Sequence, residues 1–172
     1  MNISILLLIA LPIAVVLGGG QLMNKISGRF KVACQTPLFL RWKYKESDVK
    51  DYWGALKKIN TNALENEKRF LKLDLFFPFF YGGAFVISLT ALWLMLDKPI
   101  ALIWLITPAV VAMVADWTEN LIQLRQIQLF IDGASLQADR IQISSIATAF
   151  KILFIVLSML LLSGLSFCLL MR

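Results

Sequence analysis

The chain has 172 residues, of which 59% are hydrophobic and only 16% are charged. This balance excludes an ordinary soluble domain and is typical of a multi-pass helical membrane protein. The sequence contains no histidine, so we expect no haem and no His-ligated metal. Its two cysteines, Cys34 and Cys168, form no CxxC pair, which disfavours thiol–disulfide chemistry and a structural zinc site.

The first predicted element is a membrane helix over residues 2–20. An apolar run from Ile5 to Leu17 is followed by three glycines. The run is short enough for a signal peptide, but no Lys or Arg precedes it and no small-x-small cleavage site follows it cleanly. We therefore interpret it as an uncleaved span near the short end of the usual length.

A basic segment, residues 21–74, follows this helix. It holds twelve of the seventeen Lys and Arg residues and six acids, so the positive-inside rule predicts that it is cytoplasmic. Leu38, Leu40, Trp42 and Tyr44 alternate with cations, which predicts an extended amphipathic stretch. Such a stretch would lay aromatic rings into the membrane interface beside anionic headgroups, or it would be an ordered loop that covers the bundle.

Two helices are predicted within the basic segment. Ser47 is the expected N-cap of the first, and its buried face is expected to carry Val49, Tyr52, Trp53, Leu56 and Ile59. Asn62 and Glu65 have the spacing of a capping box, so we expect a second helix that runs into the next span.

Three further spans are predicted, over residues 75–96, 100–119 and 150–171. Asp97-Lys98-Pro99 is expected to form a tight turn, and a helical connection, residues 120–149, would join the last two spans. The third span would extend to about Ile131, kinked at Pro108 and ended by Asp132-Gly133. The basic segment and this connection would then share the cytoplasmic side, with both termini on the opposite side.

Polar side chains gather at one end of these spans. Asp116, Glu119 and Asn120 lie at i, i+3 and i+4, which places them on one helix face, and Gln123 follows one turn later. Pro78 would free the carbonyl of Asp74 from its helical hydrogen bond. The common depth of the boundary residues predicts one ligand-binding or pairing site, made of Asp74, Tyr81, Asp116, Glu119, Asn120, Thr148 and Lys151.

Two interpretations of these residues stay open. They would form a structural clamp between helices, in which Asp116 pairs with Lys151 while Glu119 and Asn120 bridge to Tyr81. Alternatively, Asp116, Glu119 and Asp74 would be catalytic candidates in a small enzyme acting on a lipid or isoprenoid. Asp116 and Glu119 would then hold a divalent cation, and Lys151 would contact an anionic headgroup. Ion translocation is disfavoured because three of the span centres carry no charge.

A third class is an accessory or assembly subunit of a larger membrane complex. Small residues on the last span would provide its contact surface, namely Ser158, Ser163, Gly164 and Ser166, although no GxxxG motif occurs there. The expected partners are anionic membrane lipids, and either another protein or a second copy of the chain. Nucleic acid is not expected, because the cations lie between membrane spans.

The pattern L-D-x-x-F-x-x-x-Y (73–81), A-D-x-x-E-N (115–120) and T-x-x-K (148–151) resembles that of a family of small polytopic membrane proteins of bacteria and eukaryotes. No activity is attached to that family, so the resemblance implies only that these positions act together. The chain lacks the paired-aspartate motif of CDP-alcohol phosphotransferases, which disfavours that family of membrane enzymes.

The composition, the four apolar stretches and the polar boundary residues together predict an all-α four-span bundle. We expect it in a bacterial inner membrane or its equivalent, with a lipid-related site at the cytoplasmic boundary.

Overall fold

A computed structural model describes residues 3–29, 36–60, 62–96 and 100–171. Within these ranges the chain is helical and contains no strand. The helices are α1 (Ile3–Ser27), α2 (Glu46–Ile59), α3 (Ala63–Asp74), α4 (Phe77–Met95), α5 (Leu102–Ile131) and α6 (Ala138–Leu170), with a short 3₁₀ turn at Leu38–Leu40. The expected turn Asp97-Lys98-Pro99 and Cys34 lie outside the described residues.

Four stretches in the described ranges are long and apolar enough to cross a membrane: Ile5–Ser27, Ala63–Met95, Leu102–Ile131 and Ala138–Leu170. This finding supports the predicted all-helical, multi-pass membrane architecture. α1, α5 and α6 are longer than the predicted spans, whereas α4 is slightly shorter than the predicted span 75–96. α1 continues to Ser27, α5 passes through Pro108 without ending, and the expected connection 120–149 consists of the ends of α5 and α6 around a short turn.

The turn between α5 and α6 uses glycine as the sequence predicts. Asp132 is the C-terminal cap of α5, and Gly133 follows with a φ of 71°. This left-handed conformation is inexpensive only for glycine, since it lacks a Cβ atom. α6 then begins at Ala138, and α5 and α6 run antiparallel as the most extensively packed pair of helices.

The interior is divided into two hydrophobic cores. The first, which we call the membrane core, joins α1, α4, α5 and α6 around Phe85, Leu89, Leu92, Ala109 and Ala112. Small residues bring its helices close together. A Cβ atom on Gly19 would lie 2.3 Å from the Phe77 ring, and one on Gly82 would lie 2.1 Å from the sulfur of Met113.

The second, which we call the cap core, lies where α2 and α3 cover the Ile131 end of α5 and the start of α6. Val49, Tyr52, Trp53 and Leu56 of α2 are all buried, because they recur at helical spacing on one face. The prediction for Ile59 was wrong, since its side chain is 48% exposed. Ile127 of α5, Leu136 of the turn that follows and Ile141 of α6 complete this core.

Three local predictions in the basic segment were wrong in whole or in part. Lys45, not Ser47, is the N-cap of α2, and its backbone N–H donates to the Asp48 carboxylate at 2.8 Å. Asn62 is the N-cap of α3, so the predicted start of this helix is confirmed, but its side chain makes no capping hydrogen bond. The alternating stretch is not extended throughout, since Leu38–Leu40 form a 3₁₀ turn that buries Leu38 and exposes Leu40.

Candidate functional site

The α5 face selected from the sequence contacts Lys151 of α6. Its ammonium nitrogen lies 3.2 Å from Asp116 Oδ1 and 2.5 Å from Glu119 Oε2. All three side chains are buried, with Glu119 fully inaccessible. Two carboxylates and one ammonium group therefore meet between α5 and α6, out of contact with solvent.

Asn120 joins this ion pair to the break between α3 and α4. Its amide nitrogen donates to Asp116 Oδ1 and to the backbone carbonyl of Asp74, each at 3.2 Å. The carbonyl is available because Pro78, four residues later, has no N–H to donate to it. The Asn120 amide therefore satisfies the carbonyl that Pro78 frees. We call Asp74, Asp116, Glu119, Asn120 and Lys151 the charged cluster.

The indole of Trp117 satisfies a second carbonyl at the same break. Its Nε1 donates to the carbonyl of Leu75 at 2.8 Å, and its ring packs against Phe79 with centroids 4.5 Å apart. One turn of α5 therefore supplies side-chain donors to both carbonyls that follow the end of α3. This arrangement fixes the point at which the chain enters α4.

Tyr81 and Thr148 border the charged cluster. The Tyr81 hydroxyl donates to the carbonyl of Ala112 at 3.2 Å, and the Thr148 hydroxyl donates to the carbonyl of Ser144 at 3.0 Å. The predicted bridge from Asn120 to Tyr81 is not formed, because the Asn120 amide is directed to Asp116 and Asp74 instead. All seven residues selected from the sequence are buried.

The charged cluster does not have the form of a divalent-cation site. Among the described residues, no group of three Asp, Glu, His or Cys side chains is arranged to hold a metal ion. The Lys151 ammonium occupies the position between Asp116 and Glu119 where such an ion would bind. The arrangement is that of an interhelical ion pair, in which the buried amine balances the buried carboxylates.

Sequence reasoning missed Tyr44, which connects the basic segment to this region. Its hydroxyl lies 2.7 Å from Ser144 Oγ and accepts a hydrogen bond from Gln123 Nε2 at 3.0 Å. Gln123 also donates to Glu119 Oε1 at 3.0 Å. Burial raises the pKa of Tyr44, and the nearby charge of Glu119 raises it further, so the phenol stays protonated.

Backbone contacts hold Tyr44 in place. Its N–H donates to Ser145 Oγ at 2.8 Å, so α6 anchors the stretch around Tyr44 through two adjacent serines. The only sequence signal for this contact was the spacing of Ser144 and Thr148 on one face of α6, one turn before Lys151.

Arg29 forms a second buried ion pair that the sequence did not predict. Its guanidinium binds both carboxylate oxygens of Glu67 and donates to the Tyr52 hydroxyl at 3.0 Å. It also lies 4.7 Å and 4.3 Å from the ring centroids of Phe39 and Phe70, which stack on each other beside it. Burial and the charge of Glu67 raise the pKa of Tyr52 to about 12. This pair ties α1 to the cap core.

Two adjoining grooves lie beside the charged cluster on the surface. The first, the basic groove, has a volume of about 750 Å³ and runs between the 42–45 stretch and α6; its walls include Trp42, Lys43, Lys45, Ser145, Ile146 and Phe150. The second, the apolar groove, has a volume of about 370 Å³ and runs between α5 and α6; its walls include Val110, Val114, Thr118, Ile143, Ile146 and Phe150. Ile146 and Phe150 line both grooves, so the two share a wall.

Comparison with protein families, curated proteins and solved structures gives no match to this chain. The resemblance of the three sequence motifs to small polytopic membrane proteins stays a prediction.

Proposed function

We propose that this protein is a multi-pass membrane protein that binds an anionic, phosphate-bearing lipid in the basic groove. The observation that carries the proposal is that this groove adjoins the apolar groove, with Ile146 and Phe150 lining both. Lys43 and Lys45 are exposed at the polar end, and apolar side chains of α5 and α6 form the other end. An amphiphile with a phosphate group and an acyl or isoprenoid chain has the same division of polarity.

The lysines supply the charge that selects the headgroup. Neither forms an ion pair among the described residues, and the neighbouring Asp48 carboxylate already accepts the backbone N–H of Lys45. Exposed, unpaired lysines at a membrane surface attract anionic lipid by about 1 kcal/mol each. Trp42, which is 52% exposed beside them, has the amphipathic ring that favours the interface.

In this proposal the ligand binds in the basic groove and not in the charged cluster beside it, where the sequence predicts a site. Asp116, Glu119 and Lys151 are paired with one another and buried, which suits a structural role more than contact with a headgroup. The cluster would support the site indirectly, since Gln123 links Glu119 to Tyr44 and Tyr44 forms part of the groove wall. In this proposal the basic segment faces the cytoplasm, in accordance with the positive-inside rule.

The test removes the two lysines and measures lipid selectivity. Purified protein in a zwitterionic detergent is titrated with phosphatidylglycerol or phosphatidylcholine, and bound lipid is counted by native mass spectrometry. We expect Lys43→Gln/Lys45→Gln to weaken phosphatidylglycerol binding by roughly tenfold to thirtyfold at low salt, with phosphatidylcholine binding unchanged. The control Lys57→Gln/Lys58→Gln removes the same charge from the exposed end of α2 and should have little effect.

A third variant tests the apolar end of the site. Phe150 is 49% exposed, so truncation to alanine should not disturb the interior. We expect Phe150→Ala to weaken both lipids to a similar degree, because it removes chain contacts and no charge. Equal loss of phosphatidylglycerol binding in the two double-lysine variants would reject the basic groove as the headgroup site.

A further inference from the structure

A pair of arginines lies beyond the apolar groove, toward the α5–α6 turn. Arg125 of α5 and Arg140 of α6 line a pocket of about 280 Å³, the arginine pocket, together with Leu121, Ile122, Gln126 and Gln137. On α5, Ile122 and Arg125 continue the face of Thr118 at helical spacing, and on α6 Arg140 precedes Ile143 by three residues. The arginine pocket therefore adjoins the apolar groove along the same pair of helices.

The walls of the arginine pocket are held by a reciprocal contact between two glutamines. Gln126 Nε2 donates to Gln137 Oε1 at 3.1 Å, and the backbone N–H of Gln137 donates to Gln126 Oε1 at 2.9 Å. Gln126 is almost fully buried. These bonds fix the end of α5 against the start of α6, so the two arginines project from a rigid base.

Both arginines are available to a ligand. Their side chains are exposed, and neither forms an ion pair or a hydrogen bond with the part of the chain that the structure describes. Asp139 is adjacent to Arg140 in sequence and Asp132 is in the preceding turn, but the Asp132 carboxylate accepts the amide of Gln128 at 2.8 Å. Guanidinium groups present paired N–H donors in a planar fork that matches phosphate oxygens.

One side of the pocket is apolar. Leu121 is 58% exposed, and Ile122 lies beside it. A free anion would use only the arginines, whereas a lipid would also cover these side chains. Basic pockets between membrane helices near the cytoplasmic boundary are a known way of holding phosphate headgroups.

From these observations we propose that the arginine pocket binds the phosphate group of a second membrane lipid, whose chain lies against Leu121 and Ile122. This site is separate from the basic groove and shares no lining residue with it. The proposal does not depend on the function assigned to the basic groove, because different cations hold each ligand.

The experiment counts lipids on matched variants by native mass spectrometry, with phosphatidylglycerol, phosphatidylcholine and inorganic phosphate as separate probes. Wild-type protein should retain two phosphatidylglycerol molecules, and Arg125→Gln/Arg140→Gln should lose one of them. We expect the affinity of that lipid to fall about tenfold for each arginine replaced. Lys58→Gln/Arg69→Gln removes the same charge elsewhere and should keep both lipids.

A charge-conserving variant distinguishes recognition by the paired N–H donors of the guanidinium from electrostatic attraction by positive charge alone. Arg125→Lys/Arg140→Lys keeps the charge but loses the paired donors, so its affinity should fall between those of wild type and the glutamine variant. An unchanged melting temperature in all variants would confirm that the losses are local.

Three results would overturn the proposal. The first is undiminished phosphatidylglycerol stoichiometry in Arg125→Gln/Arg140→Gln. The second is equal loss in the Lys58→Gln/Arg69→Gln control. The third is saturation of the arginines by inorganic phosphate with no bound lipid, which would identify a free-anion site instead. If Lys43→Gln/Lys45→Gln bound as many phosphatidylglycerol molecules as wild type while Arg125→Gln/Arg140→Gln bound one fewer, the basic groove would be rejected and the arginine pocket supported.

Discussion

The cap core and the membrane core bury leucines equally well but must be stabilised by different forces. Leu56 in the cap core and Leu89 in the membrane core are both fully inaccessible. The cap core forms from a segment whose unfolded state is in water, so burial of apolar surface drives its assembly. The helices of the membrane core are surrounded by lipid whether or not they associate, so they depend on close packing and polar contacts.

The contents of the two cores reflect this difference. The cap core contains large aromatic side chains, with Trp53 and Tyr52 fully buried and the Trp53 ring 5.6 Å from that of Phe130. The membrane core also buries two aromatic side chains of α4, but there the glycines at 19 and 82 and two buried alanines of α5 let the helices approach closely. Each region also has its own buried ion-paired group, which joins elements distant in sequence. Because the two regions are stabilised by different contacts, we expect that mutations can destabilise one region without the other.

The largest expected effect comes from breaking the ion pair of the charged cluster. Lys151→Met would leave Asp116 and Glu119 buried without a counter-charge, and we expect it to lower the free energy of unfolding by about 3–5 kcal/mol. Denaturant unfolding in one mild detergent measures this loss. Lys151→Met/Glu119→Gln should recover part of it, because it removes one of the two unbalanced carboxylates.

Lys50→Met is the matched control for that variant. Lys50 pairs with Glu46 on the exposed surface of α2, so its loss should cost less than about 1 kcal/mol. If Lys151→Met were no more destabilising than Lys50→Met, the charged cluster would not be a structural clamp. The two buried acids, Asp116 and Glu119, would then be better explained by contact with a ligand.

A matched pair of leucine truncations measures the difference between the two cores directly. We expect Leu56→Ala to cost about 3–5 kcal/mol, since it loses both transfer free energy and packing. Leu89→Ala should cost about 1.5–3 kcal/mol less, because the transfer contribution is absent in lipid. Both are measured by reversible unfolding in the same detergent. Equal costs would show that the two cores are stabilised alike.

The smallest effect tests close packing in the membrane core. A methyl group on Gly19 would overlap the Phe77 ring, whereas one on Gly83 meets no atom within 4 Å. Gly19→Ala should therefore cost about 1–3 kcal/mol. Gly83→Ala should leave stability unchanged or raise it by up to about 1 kcal/mol, because alanine favours the helix. The melting temperatures of the two variants provide the comparison, and a larger loss in Gly83→Ala would contradict the packing described.

The residues of the charged cluster could be selected from the sequence because helical periodicity and depth suffice to place them. Asp116, Glu119 and Asn120 share a face at i, i+3 and i+4, and Pro78 marks the free carbonyl of Asp74. Neither inference requires knowledge of how the helices pack. The pairing of Lys151 with Asp116 was also predictable, since Lys151 is a lone cation at the same boundary.

The contacts that join the cap core to α1 and α6 were not predictable in this way. Arg29 and Glu67 are 38 residues apart, and Tyr44 and Ser145 are 101 residues apart. No local pattern connects such residues, because the contact arises only when α2 and α3 dock on the ends of α5 and α6. The alternation around Leu40 was misinterpreted because Pro37 begins a 3₁₀ turn that shifts the buried face.

The anchoring of Tyr44 on α6 has a consequence for how the protein is made. Ser144, Ser145 and Thr148, which hold Tyr44, leave the ribosome about a hundred residues after it. Synthesis proceeds at about 5–20 residues per second, so the stretch around Tyr44 waits for several seconds without its partners. The segment that follows the first membrane helix in the chain is thus among the last to be fixed in place, after α6 has been synthesised.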